Sequence, residues 1–262
     1  FGIASLVAAS LMGPGKRGQG VAFVLSGLTI ANVIGVPFIT WVGQTTNWRV
    51  AYLVVAAIFA LTFAAVALLV PWQAGDPKAT LRNELRAFGR LQVWLALLIG
   101  AIGFGGFFAV YTYISPMVTT VTGLPESAVP FVLILIGIGM TVGNILGGRM
   151  ADRSVERSMM LFFVVLLVGL AVLFFTAATL AGLLISVFVI AGAASALSPP
   201  IQTRLMDVAH DSQSIAAALN HSALNIANAS GAFLGGLTIA AGFGYVSPVA
   251  VGAVLEIGRA HV

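Results

Sequence analysis

Phe104, Phe108, Tyr111 and Ser115 recur at intervals of 4, 3 and 4 residues. On a helix that spacing forms a single stripe of rings ending in hydroxyls. Such a wall suits an amphipathic organic solute, offering flat apolar area to its body and hydroxyl tips to its polar end; aromatic core packing is the competing reading. Tyr113 joins the same set. A second set consists of amides. At about 100° per residue with Asn220 at zero, Asn228 falls at about 80°, Asn225 at about 140°, Gly231 at about 20° and Gly235 at about 60°. One side of that helix is therefore polar and small, suited equally to a cavity wall and to a close helix contact. Asn32 carries the same ambiguity. His221 is the one titratable side chain well inside a complete apolar run, and imidazole titrates in the range that proton coupling requires. A polar contact with a neighbouring helix is its alternative role.

A third group is charged. "GNILGGRMADRSVER" (143–157) packs Arg149, Asp152, Arg153, Glu156 and Arg157 into one knot, although only 8% of the chain is charged. Gly147 and Gly148 would let one helix end lie against its neighbour. Asp152 would cap the next helix, or a short helix in the loop itself, and meet its positive dipole end. Arg153 and Arg157, four apart, would share a helical face and hold a carboxylate or a helix C-terminus, so the knot could latch one helix end to another. The alternative is a tight loop that only obeys a charge rule for membrane topology.

Other chemistries lack their residues. "GPGKRG" (13–18) does not have the Gly-x4-Gly-Lys-Ser/Thr spacing of a phosphate loop. The chain contains no HExxH, no Gly-x-Ser-x-Gly elbow and no pair of carboxylates within an apolar run. Zero cysteines exclude thiolate metal sites and disulfides. An enzyme, a metal site and a resident cofactor are not expected.

The elements that must position these residues follow from composition. Of 262 residues 60% are hydrophobic, and mean hydropathy is +1.07. Soluble domains are roughly 25% charged. Apolar runs long enough for a ~30 Å hydrocarbon layer lie at 20–43, 49–71, 94–119, 129–148, 158–180, 182–206 and 213–242, with partial runs at 1–12 and 246–255. These lengths predict an all-α polytopic membrane protein and exclude a barrel of short alternating strands. The glycines in "GMTVGNILG" (139, 143, 147) and "GAFLG" (231, 235) read as seams where helices approach closely.

A pI near 10.0 raises nucleic acid as a partner until the charges are placed. Lys16, Arg17, Lys78, Arg82, Arg86, Arg90, Arg149, Arg153, Arg157 and Arg204 fall in alternate loops, while the intervening loops hold Arg49 and Glu126. That is the positive-inside pattern, so the basic surface faces the cytoplasm and its anionic leaflet. Residues 76–92 read as an amphipathic helix on that leaflet, with Pro77 at its first position. Pro116 and Pro199-Pro200 should break the helical ladder, which is tolerated beside a cavity.

"GLTIANVIG" (27–35) and "ALNIANASG" (223–231) share Leu, Ile, Ala, Asn and Gly at a fixed offset of 196 residues (27 to 223). Six spans separate them, the trace of a six-helix unit used twice. On that count three helices and part of a fourth precede Phe1. "IGRAHV" at the end matches one reading frame of a common sequencing-library adapter, so 256–262 is expected to be a non-native tail. The expected organisation is 1–71 as the end of the first half (spans 4–6), 72–93 as a cytoplasmic central loop, and 94–255 as the second half (spans 7–12, the last truncated).

With these features the chain resembles the major facilitator superfamily. "GGRMADRSVER" resembles its signature loop between spans 8 and 9, with Val155 and Glu156 departing from the pattern; Gly148, Asp152, Arg153 and Arg157 match. "GLTIANVIGVPFITWVGQTTNWR" (27–49) resembles span 5 of the drug:proton antiporter branch, through Gly27, Gly35 and Pro37, although Gly and Pro are not adjacent. "YTYISP", "GNILGGRMADRS" and "SPPIQTRLM" are similar to arabinose-efflux-permease-like members. The resemblance implies a partial twelve-helix fold of two six-helix pseudo-repeats in a bacterial cytoplasmic (inner) membrane. Span 7, with Phe104, Phe108, Tyr111, Tyr113 and Ser115, would line a central cavity. The implied function is alternating-access export of a small organic solute, drug-like, sugar or nucleoside-like, driven by proton entry. Its partners would be lipid, solute and protons, with no nucleic acid, and the protein would be monomeric. Uptake or facilitated diffusion is the alternative; an ion channel or intramembrane hydrolase is more remote.

Overall fold

The computed structural model describes Gly27, residues 30–70, 91–151, 153–201, Arg204 and residues 213–259. The opening run, the central loop with most of its amphipathic helix, and Asp152 lie outside these residues. The described residues form helices joined by short turns: α1 (Val36–Thr45), α2 (Trp48–Leu69), α3 (Leu91–Thr112), α4 (Val129–Ala151), α5 (Val155–Thr176), α6 (Leu180–Ala196), α7 (Gln213–Ala240) and α8 (Ser247–Arg259). Five helices among the described residues are long and apolar enough to cross a bilayer, and α3 with its continuation makes a sixth. The runs 49–71, 94–119, 129–148, 158–180, 182–206 and 213–242 coincide with these helices to within about five residues, while the run 20–43 lies partly outside the described residues and ends in α1.

Polar caps set the helix starts. The Asn47 side chain accepts from the backbone N–H groups of Arg49 and Val50 and opens α2. Thr179 accepts from Gly182 and opens α6. Ser154 accepts from Arg157 and opens α5. Ser154 is therefore a cap of this helix, and the capping role expected of Asp152 falls on a residue outside those described. Because α5 begins only at Val155, Arg153 sits in the preceding turn and does not share a helical face with Arg157.

Prolines explain the irregular segments. Pro116 cannot donate to the Thr112 carbonyl and its ring crowds it. Accordingly α3 stops at Thr112, the chain turns at Tyr113, and a second segment (114–121) continues at 49° to the first. Pro37 has the same effect on Val33. There the ladder widens into a π-turn, Ala31–Gly35, with the Val36 N–H reaching back to Ala31. Pro199 and Pro200 remove the donors that would bond Ser195 and Ala196, and α6 ends at Ala196 before a further helical stretch, 198–201.

Packing depends on missing side chains. α4 and α6 run parallel, with Gly139, Gly143 and Gly147 against the backbone of Phe188, Gly192 and Ala196 in turn. A Cβ at Gly139 would lie 2.6 Å from the Phe188 carbonyl oxygen. α3 and α7 form a second parallel seam, in which Gly231 meets the backbone of Gly105 and Ala109 and Gly235 meets the Tyr113 ring. α8 crosses α3 where Gly252 faces Gly106. The glycines read as seams from sequence occupy these seams, with one exception. Gly148 has open space where a Cβ would stand, so Gly147 alone serves the close approach. Between the seams the core is filled by leucines, with Leu166, Leu170, Leu173 and Leu183 fully buried. α1 packs on α4, and the Gln44 amide donates to the Glu126 carbonyl at 2.9 Å.

This arrangement fixes a topology that can be measured. Glu126–Ala151 is a 26-residue apolar helix, ~39 Å long at 1.5 Å per residue, enough to separate its ends by a bilayer. The chain has no cysteine to interfere. Ser127→Cys and Ser154→Cys should react with a membrane-impermeant thiol reagent from opposite sides. Labelling of both from one side would break the span assignment.

Candidate functional site

The aromatic stripe of α3 opens onto a cavity of about 280 Å³. Phe104, Phe107, Phe108 and Tyr111 form one wall. Phe107 and Tyr111 are stacked, with ring centroids 5.4 Å apart and planes at 23°. Phe107 and Phe108 meet edge to face at 5.3 Å. The π-turn before α1 brings in Asn32, and α4 contributes Met140 and Asn144. Ser195 and Ser198 flank the break at the end of α6, and Leu224 of α7 closes the remaining side. Two broken helices thus deliver polar groups to one apolar hollow. Among the described residues lining it, none carries a charge.

Each sequence candidate can now be placed. Phe104, Phe108, Tyr111 and Asn32 line the cavity together. Ser115 does not, because the stripe ends at the bend and Ser115 lies exposed beyond it. The Tyr113 hydroxyl donates to the Ala232 carbonyl at 2.8 Å, tying α3 to α7. On α7 the polar and small residues separate: Gly231 and Gly235 turn to α3, whereas Asn225 and Asn228 are exposed on another flank. The Asn225 amide donates to the His221 carbonyl of its own helix at 2.9 Å. His221 is half-buried. The side chain of Asn220 lies outside the described residues.

Sequence reasoning missed Phe107, Met140, Asn144, Ser195 and Ser198. Asn144 had the clearest signal, an amide inside an apolar span, but in "GNILGG" the neighbouring glycines drew the reading. Gly143 and Asn144 are adjacent and so lie about 100° apart around the helix: the glycine serves the α6 seam and the amide faces the hollow. Phe107 stands three residues after Phe104 and four before Tyr111, on a stripe that overlaps the one through Phe108.

The knot lies at the far end of α4. Arg149, Arg153, Glu156 and Arg157 are all exposed there. In the span 5 motif, Pro37 is buried; among the described residues nothing lies within 4 Å of a Cβ at Gly27, and Gly35 meets only Ala31 of the same turn. The contact is made from the other side by Gly137 of α4, whose missing Cβ would lie 2.9 Å from the Asn32 carbonyl oxygen.

Known proteins are similar to this chain. The family model described as Major Facilitator Superfamily matches residues 1–232. The inner membrane transport protein YdhP of Escherichia coli is 37% identical over 255 residues, covering 97% of this chain and 66% of its own length. The putative transporter AraJ of Escherichia coli is 32% identical over 246 residues, 94% of this chain and 62% of its own. A chloramphenicol resistance protein of Streptomyces lividans is 31% identical over 251 residues, 94% of this chain and 64% of its own. The chain thus spans just under two thirds of the length of these relatives. Among solved structures, a bacterial homolog of the human lysosomal transporter Spinster, in an inward-facing and unoccupied conformation, superposes with a TM-score of 0.60 at 16% identity, covering 94% of this chain and 68% of that one. Membrane-spanning helices packed on glycine seams, a hollow between them and a family match over most of its length lead to one conclusion: the chain belongs to the Major Facilitator Superfamily, whose members are membrane transporters and not enzymes.

Proposed function

We propose that the protein exports a small organic solute across a bacterial cytoplasmic membrane by alternating access, driven by proton entry, and that the hollow beside α3 is the solute site. One observation carries this reading. Helix breaks at Pro37 and Pro199-Pro200 bring Asn32, Ser195 and Ser198 to the same cavity as the aromatic wall. Polar backbone and side chains at membrane depth are costly except where they line a cavity or meet protein. Two broken helices converging on one hollow are what a solute path requires and what a simple structural bundle does not. Two relatives support membrane and direction: YdhP is named an inner membrane transport protein, and the Streptomyces protein a chloramphenicol resistance protein.

Inside-out membrane vesicles containing the full-length protein test this reading. With an acidic lumen, chloramphenicol added outside should accumulate in the lumen and discharge part of the pH gradient, and an uncoupler should abolish both effects. Accumulation that ignores the uncoupler would remove the proton from the proposal. Movement only towards the face that was cytoplasmic would make the protein an uptake carrier.

A further inference from the structure

We infer that a groove between the C-terminal ends of α5 and α7 and the start of α8 holds a membrane phospholipid with a primary-ammonium headgroup. The groove is separate from the hollow beside α3 and does not depend on how solute is carried.

The position of the groove points to its occupant. Its rim is formed by Phe174 of α5, Leu237 of α7, Val254 of α8 and Phe243 of the turn between the last two, and all four are exposed. α1 packs on α4, α4 on α6, α6 on α5, and α5 on α8, so the groove opens on the side of the bundle remote from α1. Both α5 and α7 are long and apolar enough to cross the membrane. Exposed apolar side chains on such helices meet hydrocarbon, so the groove is continuous with the surface that the bilayer covers. Lipid is the occupant that this surface meets.

The groove is polar at one end only. Thr238, in the last turn of α7, and Ser247, the first residue of α8, line that end. From Ser247 the groove follows α8 past Ala250 to Val254, ~10 Å of helix at 1.5 Å per residue. The polar pair therefore stands where two helices stop, and the apolar length points from there along the helices. A lipid has the same profile, with its head at the membrane surface and a chain directed inwards.

Hydrogen-bond direction selects the head. Ser247 Oγ lies 2.8 Å from Thr238 Oγ1 and 2.7 Å from the Gly244 carbonyl oxygen. Thr238 Oγ1 donates to the Gly235 carbonyl at 2.8 Å. A hydroxyl has one proton and two acceptor lone pairs. Both protons are directed at protein oxygens, so the pair presents lone pairs to the groove. The start of α8 adds few donors. The Ser247 N–H bonds the Gly244 carbonyl, the Val249 N–H bonds the Val246 carbonyl, and Pro248 has no N–H. The end of α7 contributes the negative pole of its helix dipole. Lone pairs beside a negative pole favour a head that is cationic and donates. An ammonium group has three donors; a trimethylammonium group has the charge but no donor.

The turn holds the aromatic rim at this level. Gly242 and Gly244 have φ of +88° and +76°, a region that residues with a side chain seldom enter. Between them Phe243 is 74% exposed and forms one side of the groove. Aromatic rings of this kind are favoured at the membrane–water interface, where headgroups lie.

Native mass spectrometry of the full-length protein, released from detergent, tests the assignment with three lipids of identical chains. These are dioleoyl phosphatidylethanolamine, its trimethylated counterpart phosphatidylcholine, and the anionic phosphatidylglycerol. At equal concentration the first should be retained at least fivefold more than either of the others. Thr238→Val combined with Ser247→Ala should abolish that preference, and Ala250→Phe, which fills the groove, should remove the preferred adduct. Ile185→Ala, on another exposed flank, should change nothing. A phosphatidylethanolamine with a photoreactive diazirine in its chain should label residues 234–254 of the native protein, an arm that needs no variant to fold. Equal retention of the ethanolamine and choline lipids would overturn the donor requirement. Retention of phosphatidylglycerol as strong as that of phosphatidylethanolamine would overturn the ammonium. Labelling confined to helices other than α5, α7 and α8 would remove the site itself.

Discussion

Gly143→Leu should reduce the yield of folded, monodisperse protein at least tenfold, while Gly148→Leu should leave it near the native level. The two glycines are five residues apart on one helix, so propensity and hydrophobicity change equally. Their surroundings do not. A Cβ at Gly143 would fall on the carbonyl of Gly192, and the next turn repeats the contact between Gly147 and Ala196. The obstructing atoms are backbone, which cannot rotate aside as a side chain would. Leucine must therefore push α4 away from α6. In lipid no hydrophobic force holds two spans together, and association depends on close van der Waals packing and hydrogen bonds. Separating the helices loses that packing along the whole seam, from Gly139 to Gly147. Overpacking in a core typically costs ~1–3 kcal/mol, occasionally more, and with backbone on both sides the upper part of that range applies. At Gly148 nothing lies within reach of the missing Cβ. Fluorescence-detected size-exclusion chromatography of the two variants checks the contrast. Equal recovery of Gly143→Leu and native protein would show that the seam contributes little.

The spans and the seams could be read in the sequence for the same physical reason. Run length is dictated by bilayer thickness, and glycines spaced four apart mark one helical face whatever its partner is. Which partner each face meets is not local information. Gly139, Gly143 and Gly147 announced a seam, but only the fold shows that α6 fills it, in parallel, with Gly192 and Ala196 opposite Gly143 and Gly147. The same limit governed the site. Periodicity found Phe104, Phe108 and Tyr111, then carried the stripe on to Ser115 as though the helix were straight. Pro116 bends the chain one turn earlier, and Ser115 leaves the wall. On α7 an angular sector of about 140° was treated as one surface. Helices pack on narrower stripes, so Gly231 and Gly235 went to α3 and Asn225 and Asn228 did not. The amides at 32 and 228, matched by the repeat, therefore have different surroundings among the described residues: Asn32 lines the hollow, while Asn228 is exposed. An exposed amide in a membrane span still needs partners that lipid cannot supply, which places that flank of α7 against protein or water.

Gly137→Val should separate folding from transport more sharply than any other single change. Gly137 is where α4 meets the π-turn before α1, with the Asn32 carbonyl oxygen and the Val33 Cα each 2.9 Å from the position of a Cβ. Nothing softer than backbone lies in the way. The α4–α6 seam is on another face of α4, through Gly139, Gly143 and Gly147, and is untouched. The α4–α6 framework should therefore form, and the protein should be recovered in good yield with a melting temperature a few degrees lower. The displaced element is the π-turn, whose widened hydrogen-bond ladder is the more deformable side of this contact. Moving it by an ångström carries Asn32 away from Asn144 and the aromatic wall, and misplacement on that scale can cost about a hundredfold in a positioned site. Binding at a transport site depends on the same placement, so we expect the initial rate of solute accumulation in vesicles to fall at least tenfold. Gly137→Ala, which requires less room, should give an intermediate rate, and Asn32→Leu should reproduce much of the transport loss with native packing. Should Gly137→Val transport at the native rate, Asn32 would have no part in the solute path. Should it fail to fold, the crossing of α1 and α4 would be a structural joint that the rest of the bundle depends on.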